Sequence, residues 1–191
     1  MRLTRTVLIF FLLLGSNALC QGVVFSREDI TFRLSSKHFI VDGYYWFYNL
    51  TAHEVNMSIY YPFPATGNAG TVDSVDIFDI AQESQPKFLG RTETGFSFIL
   101  TIAGHDTTLY HIAYRQKVAG DSATYILRST HAWNRPLDYA EYKLMIEDSI
   151  RVFKFSYDPD TLYDIGGKRI YLWRRTNFMP ERDFVIHFKP E

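Results

Sequence analysis

Cysteine is almost missing from this 191-residue chain. Cys20 is the only one, so no intramolecular disulfide can form and a packed core must hold the fold. An excess of one charge is missing too: 20 Lys+Arg stand against 21 Asp+Glu, which speaks against a nucleic-acid footprint or an acidic tail. Beyond residue 14 no apolar run approaches the ~20 residues that a membrane helix needs. No stretch carries a convincing 3.6-residue apolar period, which removes the helical classes. The common catalytic signatures are absent as well. There is no Gly-x-Ser-x-Gly elbow, no phosphate-binding glycine loop and no His-Glu-x-x-His pair. The chain is therefore expected to be no enzyme, with no catalytic residues, no cofactor and no metal.

What is present begins with a leader. Arg2 and Arg5 precede residues 7–14, VLIFFLLL, an unbroken apolar run. A basic start, a short greasy run and then small residues form the export pattern, so residues 1–20 read as a signal peptide. The stretch GSNALCQG leaves three cuts open: after Ala18, after Cys20, or before Cys20 with acylation of that thiol. Leu19 stands where a lipobox wants a small residue, so ordinary cleavage is expected and a lipid-anchored Cys20 is the alternative. Loss of Arg2 and Arg5 leaves 18 Lys+Arg against 21 Asp+Glu, a net charge of −3. The location that follows is periplasmic or extracellular, and membrane-bound only if Cys20 is lipidated.

Aromatics are dense, with 13 Tyr, 16 Phe and 3 Trp, and they suit a pleated, half-buried surface. The dominant period is two. Ile30, Phe32 and Leu34 alternate with Thr31 and Arg33, and Phe96, Phe98, Leu100 and Ile102 with Ser97, Ile99 and Thr101. The same holds for Val55 to Tyr61, for Tyr110 to Tyr114 and for Ala140 to Ile146. Turn signals separate these runs. The expected fold is all-β, an antiparallel β-sandwich of immunoglobulin-like type. The best internal boundary, Ala119-Gly120-Asp121-Ser122, divides it into residues 21–118 and 119–191. Some seventy residues make a marginal core alone, so two packed β-rich modules are expected, with one merged sandwich as the alternative.

Two passages resemble known secreted modules. Residues 39–79 carry Phe47, Asn49 and then Tyr61-Pro62-Phe63-Pro64. That pattern is similar to the domain shared by vault protein and inter-α-trypsin inhibitor, and to bacterial exported proteins of unknown function. Residues 124–146 carry Tyr125, Leu127, Arg128, Trp133, Pro136 and Leu137, and resemble a second segment of those exported proteins. A weaker match covers residues 177–188. The resemblance implies export and a β-rich scaffold, and no catalytic residue comes with it. The matched residues read as architecture: prolines that end a strand, Asn49 as a left-handed turn, Trp133 as a cover for the core. Residues 62–70 and 129–136 read as binding loops, with Tyr61, Phe63 and Trp133 as their candidate contacts.

Other constellations carry less. His105, Asp106 and His111 would suit a metal only on one continuous strand, and residues 104–106 read as a hairpin turn. Asp73, Asp76 and Asp79 recur every third residue without a glycine-centred calcium loop, and read as a solvated edge. Lys168, Arg169, Arg174, Arg175 and Arg182 gather near Tyr171 and Trp173. They read as an edge strand guarded by charge, with Arg174 and Arg175 as candidate contacts to an anionic surface. Asn49-Leu50-Thr51 and Asn56-Met57-Ser58 fit a glycosylation sequon and are read as chance.

The functional expectation is an exported, non-catalytic protein acting through an unknown protein or envelope-surface partner, without nucleic acid. The alternative is a carbohydrate or small-ligand binding module, or a weak glycan-acting enzyme, suggested by the aromatic excess. The intact mass of the mature protein in its native host tests the leader. It is expected to begin at Leu19 or Gln21; an acylated chain beginning at Cys20 reverses the assignment of location.

Overall fold

The computed structural model describes residues 22–64, 69–166 and 168–190. The expected signal peptide and Cys20 lie outside the described residues. The period-two patterns become strands: β1 (Val23–Leu34), β2 (His38–Asn49), β3 (Val55–Pro62), β4 (Ala69–Asp79), β5 (Phe88–Thr92), β6 (Gly95–Ile102) and β7 (Thr107–Val118). They are followed by β8 (Ser122–Tyr125), a 3₁₀ turn (Arg128–Trp133), β9 (Leu137–Ile146), β10 (Ile150–Phe155), β11 (Thr161–Ile165), β12 (Lys168–Phe178) and β13 (Phe184–Pro190).

The protein is an all-β sandwich. One layer is a seven-stranded sheet in the order β11-β12-β9-β1-β2-β7-β4. Two three-stranded sheets, β3-β6-β5 and β10-β13-β8, cover the same face of it side by side. Ring contacts show the stacking. Tyr45 of β2 meets Tyr61 of β3, and Phe98 of β6 meets Tyr110 of β7. Phe32 of β1 meets Tyr125 of β8 and Phe184 of β13. Among the described strands β1–β2, β5–β6 and β11–β12 are hairpin neighbours, and the other consecutive strands lie in different sheets. The turn at residues 103–106 links two such strands. It carries the chain from β6 in a small sheet to β7 in the large one, so it is a corner and not the expected hairpin.

The ladders are antiparallel with one exception, for β1 and β9 run parallel from Arg27↔Tyr139 to Leu34↔Ile146. A parallel pair needs a long connection, and here more than a hundred residues lie between the partners. Through this pair the large sheet runs without a break from the strands before residue 118 to those after 122.

Two backbone details shape the centre. Ser26 is left unpaired between Phe25↔Phe47 and Arg27↔Trp46. Phe25 and Glu28 are three apart, and a regular strand would send them to opposite faces; this bulge turns both inward. Gly43 lies under the ring of Tyr45. A Cβ there would stand 2.5 Å from the Tyr45 hydroxyl and 2.8 Å from its Cζ. Gly43→Ala therefore forces the buried ring off its site, and a loss of about 1–3 kcal/mol in urea unfolding is expected. Unchanged stability would mean that the ring has room to move.

Candidate functional site

Glu28 is the unusual residue of the core. It lies in phase with Ile30, Phe32 and Leu34 on the buried face of β1 and is 2% exposed. Tyr142 donates its hydroxyl to Glu28 Oε1 at 2.5 Å. Tyr125 donates to Oε2 at 3.1 Å. The Tyr45 hydroxyl lies 3.3 Å from that of Tyr125 and 2.7 Å from that of Tyr61. The chain Tyr61, Tyr45, Tyr125, Glu28, Tyr142 thus links β3, β2, β8, β1 and β9, strands of all three sheets.

The electrostatics follow from burial. Removal from water pushes the Glu28 carboxyl up to about 7, the two tyrosine donors pull it down in part, and the neighbouring Asp29 charge adds to the rise. Burial also holds the hydroxyls of Tyr45, Tyr61, Tyr125 and Tyr142 far above their ordinary range, so they stay neutral donors. Among the described residues, none of the ion pairs includes Glu28.

Glu28 and Tyr45 form part of the floor of a cavity of about 470 Å³, together with Phe25 and Phe47. Met57, Ile59 and Tyr61 of β3 make one wall. Ile126, Thr130 and Trp133, on and just before the 3₁₀ turn, make the other. The rim residues Ser58, Tyr60, Ser129 and Ala132 are exposed, whereas the floor is buried. Trp133 leans over Phe25 and Phe47 at 5.8 and 5.4 Å between ring centroids. Its turn is held from behind. Arg128 gives its backbone N–H to Asp183 Oδ1 at 3.0 Å and its guanidinium to Oδ2 at 3.1 Å. His131 meets the Pro180 carbonyl at 2.7 Å. Two of the sequence segments singled out, 124–146 and 177–188, therefore meet at this support. The volume and the largely apolar lining with a few convergent polar groups are those of a small-molecule site.

The candidate contacts scatter. Tyr61 and Trp133 come to the cavity from opposite walls. Phe63 is 3% exposed, packed on Phe96 and Tyr114, and does not line the cavity. Within the loop 62–70, residues 65–68 lie outside the described residues. Arg174 pairs with Glu141 at 2.8 Å and Arg175 with Asp160 at 2.7 Å. Tyr171 and Trp173 are buried in the core, so they offer those arginines no exposed platform. β12 is also no edge strand, because β11 pairs beyond it.

The minor constellations take structural roles. His105 sits at the corner with φ +54°, while His111 pairs with Asp42 at 2.8 Å. Asp73 pairs with Arg115. Asp79 is buried and not a solvated edge residue; it accepts from the Gln82 N–H and the Thr108 hydroxyl. Among the described residues no three His, Cys, Asp or Glu gather as a metal site. Asn49 is not in a left-handed turn. It is fully buried, its amide donating to the carbonyls of His53, Ile102 and Ala103 and its oxygen accepting from Thr51. An attached glycan would be incompatible with that position.

Tyr44, Trp46 and Tyr48 point to the outer face of the large sheet, and Tyr60 belongs to a different sheet. Arg27 covers Trp46 at 4.5 Å and Tyr139 at 4.9 Å.

No family model matches the sequence, and no curated protein matches it either. The fold is found elsewhere. A proposed nutrient-binding protein from Legionella pneumophila is similar with a TM-score of 0.71 at 13% identity, over 87% of this chain and 67% of that one. An M1 zinc metallopeptidase from Deinococcus radiodurans is similar with a TM-score of 0.51 at 10% identity, over 87% of this chain and 42% of the enzyme. At such identities the likeness is one of fold. The chain spans less than half the length of the peptidase.

The raised Glu28 carboxyl has a thermodynamic consequence. Between its ordinary value of 4.5 and about 7 the folded chain holds a proton that the unfolded chain has released. Stability at this site is therefore full at low pH and is lost as the pH rises through about 7, by on the order of 3 kcal/mol. Glu28→Gln is expected to flatten that slope in urea unfolding series. A slope unchanged in the variant would place the titrating group elsewhere.

Proposed function

We propose that this is an exported protein that works by binding rather than catalysis, and that it takes a small, largely apolar ligand in the cavity between β3 and the 3₁₀ turn. The observation that carries the reading is the cavity itself. It has the size of a ligand site, an aromatic lining, and a carboxyl and tyrosine hydroxyls gathered at its floor. The polar groups there bond to one another and not to any reacting constellation, which favours recognition over chemistry. The nutrient-binding role proposed for the Legionella neighbour is in line with this reading.

Contact with a protein or envelope surface is a second reading, favoured by the strip of Tyr44, Trp46 and Tyr48 on the outer face, where Tyr44 is 40% exposed. The two readings use different faces and separate cleanly. The neutral, environment-sensitive dye N-phenyl-1-naphthylamine is expected to brighten on one-to-one binding. Ala132→Trp, which fills the rim of the cavity, is expected to abolish the signal, and Trp46→Ala to leave it intact. A signal lost with Trp46→Ala and kept with Ala132→Trp would move the site to the outer face.

A further inference from the structure

Glu28 is a buried acid that has no cationic partner among the described residues. Acids that do have a cationic partner hold it on the surface or at its edge: Asp29 with Arg27, Asp42 with Arg33, Glu141 with Arg174. Among the described residues Glu28 has hydroxyl donors, one on each oxygen. A carboxylate has about four acceptor sites, so two tyrosines leave room for more. The residue also lines the cavity, and among the described residues no Lys, Arg or His lines it. Around it stand the rings of Phe25, Tyr45, Phe47, Tyr61, Tyr125 and Trp133.

An aromatic wall attracts a cation through the negative faces of its rings, and a desolvated carboxylate attracts it further. A neutral apolar ligand would fill the same space and leave the carboxylate as it is. An anion would meet repulsion from Glu28 and no compensating charge. From this charge complementarity we infer that the ligand is an organic ammonium, an amine or quaternary cation on an apolar body, with its charged head at the Glu28 end of the cavity. This inference rests on the cavity being the binding site.

The groups that face Glu28 set the pH behaviour. Tyr125 of β8 and Tyr142 of β9 bond to it, Tyr45 of β2 bonds to Tyr125, and Asp29 follows it on β1. The tyrosines remain neutral, so the carboxyl of Glu28 is the group whose ionisation changes within the cavity. Cation binding is therefore favoured above neutrality, where the carboxyl is ionised, and falls away in acid.

A matched pair of probes tests this: benzyltrimethylammonium and its uncharged carbon isostere neopentylbenzene. Both are titrated into the full mature chain and followed by NMR at the Trp133 indole. Above neutrality the cation is expected to bind at least about tenfold more tightly than the isostere. The ratio is expected to fall towards one in acid, and in Glu28→Gln at any pH. The acid series on the native chain gives the same answer should the variant fold poorly. Equal binding of the two probes at every pH would overturn the ammonium assignment and leave the cavity reading standing. If neither probe moves the Trp133 signal, while Trp46 responds or nothing does, both readings fall together.

Discussion

A single carboxyl in the core sets the terms for the rest of this structure. Glu28 is out of water, and moving an ionised carboxylate there costs several kcal/mol even after relaxation. Hydrogen bonds to a charged group return ~1.5–3 kcal/mol each, and Glu28 receives two. Desolvation outweighs that return, which is why the carboxyl holds its proton to about 7. The donors must come from Tyr125 and Tyr142, and those sit on β8 and β9, well past the strands that surround Glu28 at the start of the chain. A polar group that only distant strands can satisfy ties those strands to it. An apolar residue in its place would accept many packings.

The same centre joins the strands before residue 118 to those after 122. β1 is flanked by β2 on one side and by the parallel β9 on the other, and its inner face is covered by β8 and β13. Phe32 touches Phe39, Tyr125, Tyr142 and Phe184 and is fully buried, so the cores of the earlier and later strands meet on one ring. Between β3 and the 3₁₀ turn the two small sheets do not close, and the cavity lies there. The cavity is thus a product of the seam. Its floor comes from the strands that join the halves and its walls from one element of each.

Much of the strand content was legible because half-burial leaves a two-residue period. Runs such as Phe96, Phe98, Leu100 and Ile102 became fully buried positions of β6. The strands that escaped notice, β4, β5 and β11, each lie at the edge of a sheet. β5 is exposed along its length and β11 nearly so, and an exposed strand has no core face to imprint on the sequence. Two cavity residues, Tyr61 and Trp133, were picked out as loop contacts. Glu28 was not, although an acid in phase with Ile30, Phe32 and Leu34 was the available signal. The paired arginines failed as a site because spacing along a strand says nothing of acids on its neighbours, and Glu141 and Asp160 already hold them.

By itself the sequence determined the all-β class, the core-facing half of most strands and the need for a disulfide-free core. These follow from local periodicity and composition, which act within a few residues. Only the tertiary structure decided that β1 and β9 run side by side, that five distant strands close a polar network around Glu28, and that a cavity remains where the small sheets part. Those features depend on contacts between residues as much as 114 positions apart. No local pattern specifies such partners. They are selected when the whole chain packs, because the buried carboxyl and the bulge at Ser26 are satisfied in that arrangement.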